Sequence, residues 1–300
     1  MLGRLALGAL ALSLSLLGCA SPADSDDDGV EATAEALTEE PGYEPTRLHS
    51  KLSADIVAGL KAVAARSGGD RHRFIKVGDS ITYSTSFLDC LDRATVADAQ
   101  LEETRAWFDT GSWQRRSKAS TVGWHTNQPL AGSPAPLDTE IAEMQPVIAV
   151  VMLGTNDNYV GTDRTYRRNL SKLVDRLLER DVIPILSTIP QRAQSGPNAN
   201  IPRMNAIVRS VAAGERIDAA GRLVARASTR IPLMDFHLAL EDVPRHGLAG
   251  DGVHPNVSSR GACDFGADGM THGYNVRTRL ALEAIDRVKR VVLDGTSDPE

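Results

Sequence analysis

Arg73-Phe74-Ile75-Lys76-Val77-Gly78-Asp79-Ser80-Ile81-Thr82 is the stretch that decides how the rest of this chain is read. Apolar side chains at alternate positions run into Gly-Asp-Ser, and an alternating run stopped by a small residue reads as a strand entering a tight turn. The following Ser86-Phe87-Leu88-Asp89-Cys90-Leu91 is compatible with a helix. Ser80 therefore sits where a helix N-terminus offers free backbone N–H groups. Such donors can hold an oxyanion beside a nucleophilic hydroxyl.

Working outward, a helix is expected over about Ser53 to Ala65, because Ser53 can cap it and Ile56, Leu60 and Val63 share one face. Val147-Ile148-Ala149-Val150-Val151-Met152-Leu153, bounded by Pro146 and Gly154, is a continuous apolar run of the kind found in strands buried on both faces. Leu170, Leu173, Val174, Leu177 and Leu178 mark an amphipathic helix, and Val182 to Leu186 another buried strand. Ile201, Met204, Ile207, Val208 and Val211 mark the next helix, Ile231 to Asp235 a short strand, and Val276 to Val292 the closing helix. Strands alternating with helices argue for a three-layer α/β/α sandwich on a parallel sheet. Residues 93–137, which hold all three tryptophans, carry no clear period.

The 300 residues have room for more than this domain. Arg4 followed by the apolar run Leu5 to Leu17 reads as an export signal too short to span a bilayer comfortably. Leu16-Leu17-Gly18-Cys19 resembles a bacterial lipobox, which makes Cys19 the expected lipidation site. Residues 1–18 are thus expected to be a lipoprotein signal peptide, and the chain an exported lipoprotein anchored to a membrane, facing the periplasm or cell surface. Residues 19–45 hold nine acidic residues and no Lys or Arg, and read as an acidic disordered linker. Asp24, Asp26, Asp28, Gly29 and Glu35 fit a calcium-loop spacing, yet no incoming helix has room after Cys19 and Glu31 replaces an apolar position. That segment is read as linker, with no metal expected. The net charge of −6 comes from it, leaving +2 over residues 46–300, so the body gives no reason to expect nucleic acid as a partner. The domain is expected over 46–293 and a C-terminal tail over 294–300.

The chemistry collects after strands, where ligands bind in such sheets. Asp79 and Ser80 follow the first, and Gly154-Thr155-Asn156-Asp157 the long apolar one; near the C-terminus stands Asp251-Gly252-Val253-His254-Pro255. A serine nucleophile needs a base, and His254 is a candidate. The histidine needs an acceptor on its far nitrogen, which Asp251 can supply, with Asp235 as a rival. The Ser80 N–H, the amide of Asn156 and a glycine N–H suit an oxyanion. Asp79 and Asp157 are read as loop braces. The other histidines show no metal spacing and are expected at the surface.

In order and spacing these three blocks resemble the first, third and fifth blocks of the SGNH (GDSL-like) hydrolase superfamily, over about residues 70–290. The resemblance implies a flavodoxin-like fold and metal-free, cofactor-free ester hydrolysis, with Ser80 as nucleophile, His254 as base, Asp251 as its orienter and Asn156 as an oxyanion donor. The family's second block has no clear strand before it here; Gly123 is its better match and Gly111 the rival. Acetyl or short acyl esters, on carbohydrate, are the favoured substrates, since no long apolar lid is evident. A lipid ester, acyl transfer, or carbohydrate binding without catalysis are the alternatives. Trp107, Trp113 and Trp124 are candidates for substrate contact, since indole faces stack on sugar rings. Cys90 lies ten residues past Ser80 and Cys263 nine past His254, so a triad would draw them together as a possible disulfide.

Overall fold

In the computed structural model, residue 43 and residues 46–159, 161–217, 222–225 and 230–296 are described. The export signal, Cys19 and nearly all of the acidic linker lie outside them. The order is α1 (Ala54–Arg66), β1 (Asp70–Gly78), α2 (Ser80–Tyr83), α3 (Ala99–Trp107), α4 (Thr110–Gln114), α5 (Pro136–Met144), β2 (Pro146–Met152) and α6 (Asp163–Glu179). Then follow β3 (Ile183–Ser187), α7 (Ser195–Ala212), β4 (Glu215–Ile217), β5 (Leu223–Ala225), β6 (Leu233–Met234), α8 (Phe236–Ala239) and α9 (Gly273–Val288).

Four strands form a parallel sheet in the order β1-β2-β3-β6, in register through pairs such as Val77↔Val151, Val151↔Leu186 and Leu186↔Leu233. A single parallel bridge, Gly78↔Ser120, lies on the outer side of β1. The strand expected before the second block is reduced to that bridge, which is why no apolar run announced it. β4 and β5 form a separate antiparallel pair that the sequence pattern did not predict.

Every residue of β2 and β3 is buried, which requires helices on both faces of the sheet. α6 and α7 pack on each other and on β3; α3 packs on α9, and α1 on the 289–293 turn that continues α9. This is the α/β sandwich expected. The apolar faces of α1 (Ile56, Leu60, Val63) and α6 (Leu170, Leu173, Val174, Leu177) point into the core as their spacing required.

β1 departs from its alternation. Phe74 through Gly78 are all buried, Lys76 among them. The Lys76 ammonium reaches Asp89 at 3.0 Å and the Trp113 carbonyl at 2.7 Å. Burial lowers its pKa, and Asp89 opposes that shift. A lysine stem thus fills core space while its head is paired.

Two other expectations change. Tyr43, read as linker, packs on the body: it donates to Asp235 and accepts from Arg209 Nε at 2.5 Å. Nor are the remaining histidines all superficial. His49 is largely enclosed beside Glu283 at 3.2 Å, and His125 and His237 each hold a buried Nδ1.

Candidate active site

The carboxyl ends of β1 and β2 and the loop before α9 converge on one place. At the end of β1 the chain turns at Gly78, where a Cβ would overlap the Thr82 Oγ1 and stand 2.7 Å from the Met152 carbonyl oxygen. Only a residue without a side chain lets α2 start so close to the sheet. Asp79 caps that helix through the Ile81 N–H at 3.0 Å. It is wholly buried, and burial raises its pKa against the pull of the Ile81 N–H and Arg277. Ser80 begins the helix, half-buried.

The second wall is a tight loop folded by Asp251. One carboxylate oxygen accepts the N–H groups of Val253 and His254 at 2.9 and 3.0 Å, and the other lies 2.6 Å from His254 Nδ1. The far nitrogen, Nε2, stands 2.8 Å from Ser80 Oγ across 174 positions of sequence. Burial works to raise the Asp251 pKa, but the Val253 N–H and the two His254 donors outweigh it and hold it at about 2. The carboxylate therefore stays ionised beside the imidazole throughout the neutral range. Gly252, at φ 67°, allows the turn, and a Cβ there would overlap that of Ala193, whose N–H donates to the Gly252 carbonyl.

The third side carries amide donors. Asn156 follows β2, and its Nδ2 donates one hydrogen to the Trp124 carbonyl at 2.9 Å, leaving the amide's other hydrogen for a second acceptor. The segment holding Gly123 is tied down twice. Gly78 exchanges backbone bonds with Ala119 and Thr121, and Asp157 accepts from the Thr126 N–H and hydroxyl. Gly123 itself is exposed at φ 79°, with open space where a Cβ would stand. Its rival Gly111 lies in α4, where its N–H is already given to Asp109 at 2.8 Å, and Asp109 is bonded to His72 near the start of β1. Gly111 is thus at the wrong end of the strand.

The tryptophans divide in the same way. Trp113 is fully buried against Phe74 and Phe108, and Trp107 packs on His72 and Phe108. His72 and Gly78 are six residues apart on β1, so Trp107 stands about 20 Å from the Ser80 turn at roughly 3.3 Å per residue. Trp113, fully buried beside Phe74 and Lys76 in the middle of β1, and Trp107, partly buried near the start of that strand, are withdrawn as substrate contacts. Trp124 remains beside Asn156. Asp235 is withdrawn as the orienter of His254: it accepts from Arg209 at 2.7 Å and Thr188 at 2.8 Å and caps α8.

Cys90 and Cys263 are joined in a disulfide with Cα atoms 5.8 Å apart. Among the described residues no group of three or more His, Cys, Asp or Glu can hold a metal.

Arg277 is the residue the sequence reading missed. Fully buried on α9, it donates to the Ile81 carbonyl at 2.7 Å and the Thr82 hydroxyl at 2.8 Å and stacks 3.7 Å over Phe87. Burial lowers its pKa to about 10, so it stays charged and holds α2 from behind. An arginine on the apolar face between Val276 and Leu280 was the available signal.

Residues 77–258 match the GDSL-like Lipase/Acylhydrolase family. No curated protein matches the chain. Among solved structures it is similar to a GDSL-like lipase from Bacteroides thetaiotaomicron, at 16% identity over 78% of this chain and 98% of that one, with a TM-score of 0.45. It is also similar to an acetylxylan esterase from Geobacillus stearothermophilus, at 16% identity over 73% of this chain and 96% of that one, with a TM-score of 0.43.

Proposed function

Because this chain belongs to the GDSL-like lipase/acylhydrolase family and is therefore a hydrolase of ester bonds, we propose that Ser80, His254 and Asp251 are its catalytic triad and that its substrates carry short acyl groups. The observation that carries the assignment is the unbroken chain of contacts from Ser80 Oγ through both imidazole nitrogens to an ionised Asp251.

In this reading the Ser80 hydroxyl attacks the ester carbonyl while His254 Nε2 takes its proton. Asp251 keeps the imidazole in the tautomer with hydrogen on Nδ1 and stabilises the imidazolium. The tetrahedral oxyanion is met by the N–H groups of Ser80 and Gly123 and by the remaining hydrogen of Asn156 Nδ2. His254 then protonates the departing alcohol. Water, deprotonated by the same nitrogen, releases the acid from Ser80.

The surroundings of the site limit the acyl length. His254 and Asp251 side chains are 38% and 51% exposed, so the site is shallow. Val122 and Val257, the large apolar side chains exposed beside it, match an acetyl or other few-carbon group. They do not match a fatty tail, each methylene of which contributes about 0.8 kcal/mol only where apolar walls cover it. Arg4, the run Leu5 to Leu17 and Cys19 support an exported lipoprotein acting outside the cytoplasm.

A fluorophosphonate probe is expected to label Ser80, and Ser80→Ala to lower kcat on p-nitrophenyl acetate by about 10⁴- to 10⁶-fold. Activity of that variant within a few-fold of the parent overturns the assignment.

A further inference from the structure

Ser80 and His254 lie on separate loops, and each loop is shaped from within by its own aspartate, Asp79 through the Ile81 N–H and Asp251 through the N–H groups of Val253 and His254. Those bonds fix each loop internally. The 2.8 Å approach of Ser80 Oγ to His254 Nε2 also needs a tie between the loops.

The start of α9 supplies one. A helix N-terminus leaves backbone N–H groups to be satisfied from elsewhere. The residue before α9, His272, gives it no side-chain cap. Asn256, 17 positions before Gly273, does so twice: its Oδ1 accepts from the Gly273 N–H at 2.7 Å, and its carbonyl oxygen accepts from the Tyr274 N–H at 2.8 Å. Asn256 is two residues past His254 and closes the hairpin that carries it. The Asn256 N–H donates to the Gly247 carbonyl at 2.7 Å, the Ala249 N–H donates to the His254 carbonyl at 2.8 Å, and Leu248 bridges to Pro255 between them. A Cβ on Gly273 would overlap both the Gly247 carbonyl and Pro255, so hairpin and helix meet with no side chain between them.

One turn further along α9, Arg277 donates to the Ile81 carbonyl and the Thr82 hydroxyl, on the two residues that follow Ser80. Gly273 and Arg277 are about 6 Å apart along the helix axis, at ~1.5 Å per residue. The base loop is thus bonded to the first turn of a helix whose next turn holds the nucleophile. The Cys90–Cys263 disulfide joins the same two stretches, but only ten residues past Ser80 and nine past His254.

Resting on the triad proposed above, we infer that Asn256 is a positioning residue for His254. By capping α9 from a distance it fixes the imidazole to the helix that carries Arg277, and so sets the approach of Nε2 to Ser80 Oγ. It moves no proton itself.

The test measures p-nitrophenyl acetate hydrolysis, the rate of fluorophosphonate labelling at Ser80, and Tm for Asn256→Ala and Asn256→Asp. Loss of a helix cap alone lowers Tm by about 2–4 °C in a domain of this size and leaves kcat unchanged well below Tm. A misplaced base does more, since a displacement near 1 Å is worth up to about 10²-fold. Asn256→Ala is expected to lower kcat and the labelling rate together by about 10- to 100-fold, with KM within threefold. The Asp251–His254 pair moves as a unit with the hairpin, so the acid limb of its kcat/KM profile is expected to keep its midpoint. Asn256→Asp retains an acceptor for the Gly273 N–H, and its kcat on the alkaline plateau is expected to return to within threefold of the parent. Should Asn256→Ala fail to fold, Asn256→Ser, whose hydroxyl stops one bond short of Gly273, takes its place under the same criteria. A fall in Tm with kcat unchanged overturns the positioning role, and so does equal impairment of the Ala and Asp variants. In both cases Ser80 remains labelled and the triad stands. If Ser80→Ala keeps its activity, the triad falls and the positioning role falls with it.

Discussion

Single residues here carry two duties at once, and the division of labour can be read atom by atom. Asp251 uses one oxygen to fold its own loop and the other to face the imidazole. Asn156 uses one amide hydrogen on Trp124, which leaves the other for the oxyanion in the proposed mechanism. Removing the Asn156 side chain therefore deletes a donor and loosens the segment that carries Gly123. Asn156→Ala is expected to lower kcat on a short ester by about 10²- to 10³-fold, the usual cost of one oxyanion donor. KM should change little, since the donor meets charge that develops only in the transition state. A variant whose loss lies wholly in KM would show that Asn156 binds substrate and does not stabilise the oxyanion.

Among the elements, the deciding ones are short. α2 is a four-residue helix, too brief to stand alone. It is held by Asp79 at its start, by Gly78 allowing close approach, and by Arg277 reaching from α9 to its carbonyl and hydroxyl groups. The His254 loop is held in the same manner, by Asp251 inside it and by contact of Gly252 with Ala193 after β3. Gly252→Ala places a side chain in the left-handed region, costing about 1–2 kcal/mol, and drives a methyl group into Ala193. The loop must shift, and a displacement near 1 Å is worth about 10²-fold in rate. Thermal unfolding and kcat on p-nitrophenyl acetate are both expected to fall; a variant with unchanged kcat would show that Ala193 does not hold the loop.

Across the whole molecule, the proposed triad depends on two segments staying together over 174 positions of sequence. A disulfide closing a loop of 173 residues restricts the unfolded chain strongly; removing such a bond costs about 2–5 kcal/mol. For a domain of this size that corresponds to a fall in Tm of about 5–15 °C. Reduction is expected to lower Tm by that amount. Titration of the unfolded, non-reduced mature protein, in which the proposed lipidation blocks Cys19, should find no free thiol, so reactive Cys90 and Cys263 would remove the bond from the account.

Much of this protein is determined locally, and the sequence speaks clearly wherever that is so. Apolar periods place α1, α6, α7 and α9 and the buried strands β2 and β3, because side chains a few positions apart decide which face is buried. The Gly-Asp-Ser turn and the Asp251–His254 spacing point to the proposed reacting groups, because each is a loop whose geometry its own residues impose. Tertiary structure alone decided the rest. Gly111 and Gly123 are equally flexible as letters, yet only Gly123 lies at the carboxyl end of β1. Three tryptophans crowded in sequence are spread along one strand, with Trp107 near its start, Trp113 buried at its middle and Trp124 beyond its carboxyl end. Lys76 and Arg277 are charges that composition assigns to the surface; they are buried because Asp89 and the α2 carbonyl lie where the folded chain brings them. Local pattern reports which face is buried, but which strand end a residue reaches, and which distant partner meets it, is set by packing between segments far apart in the chain.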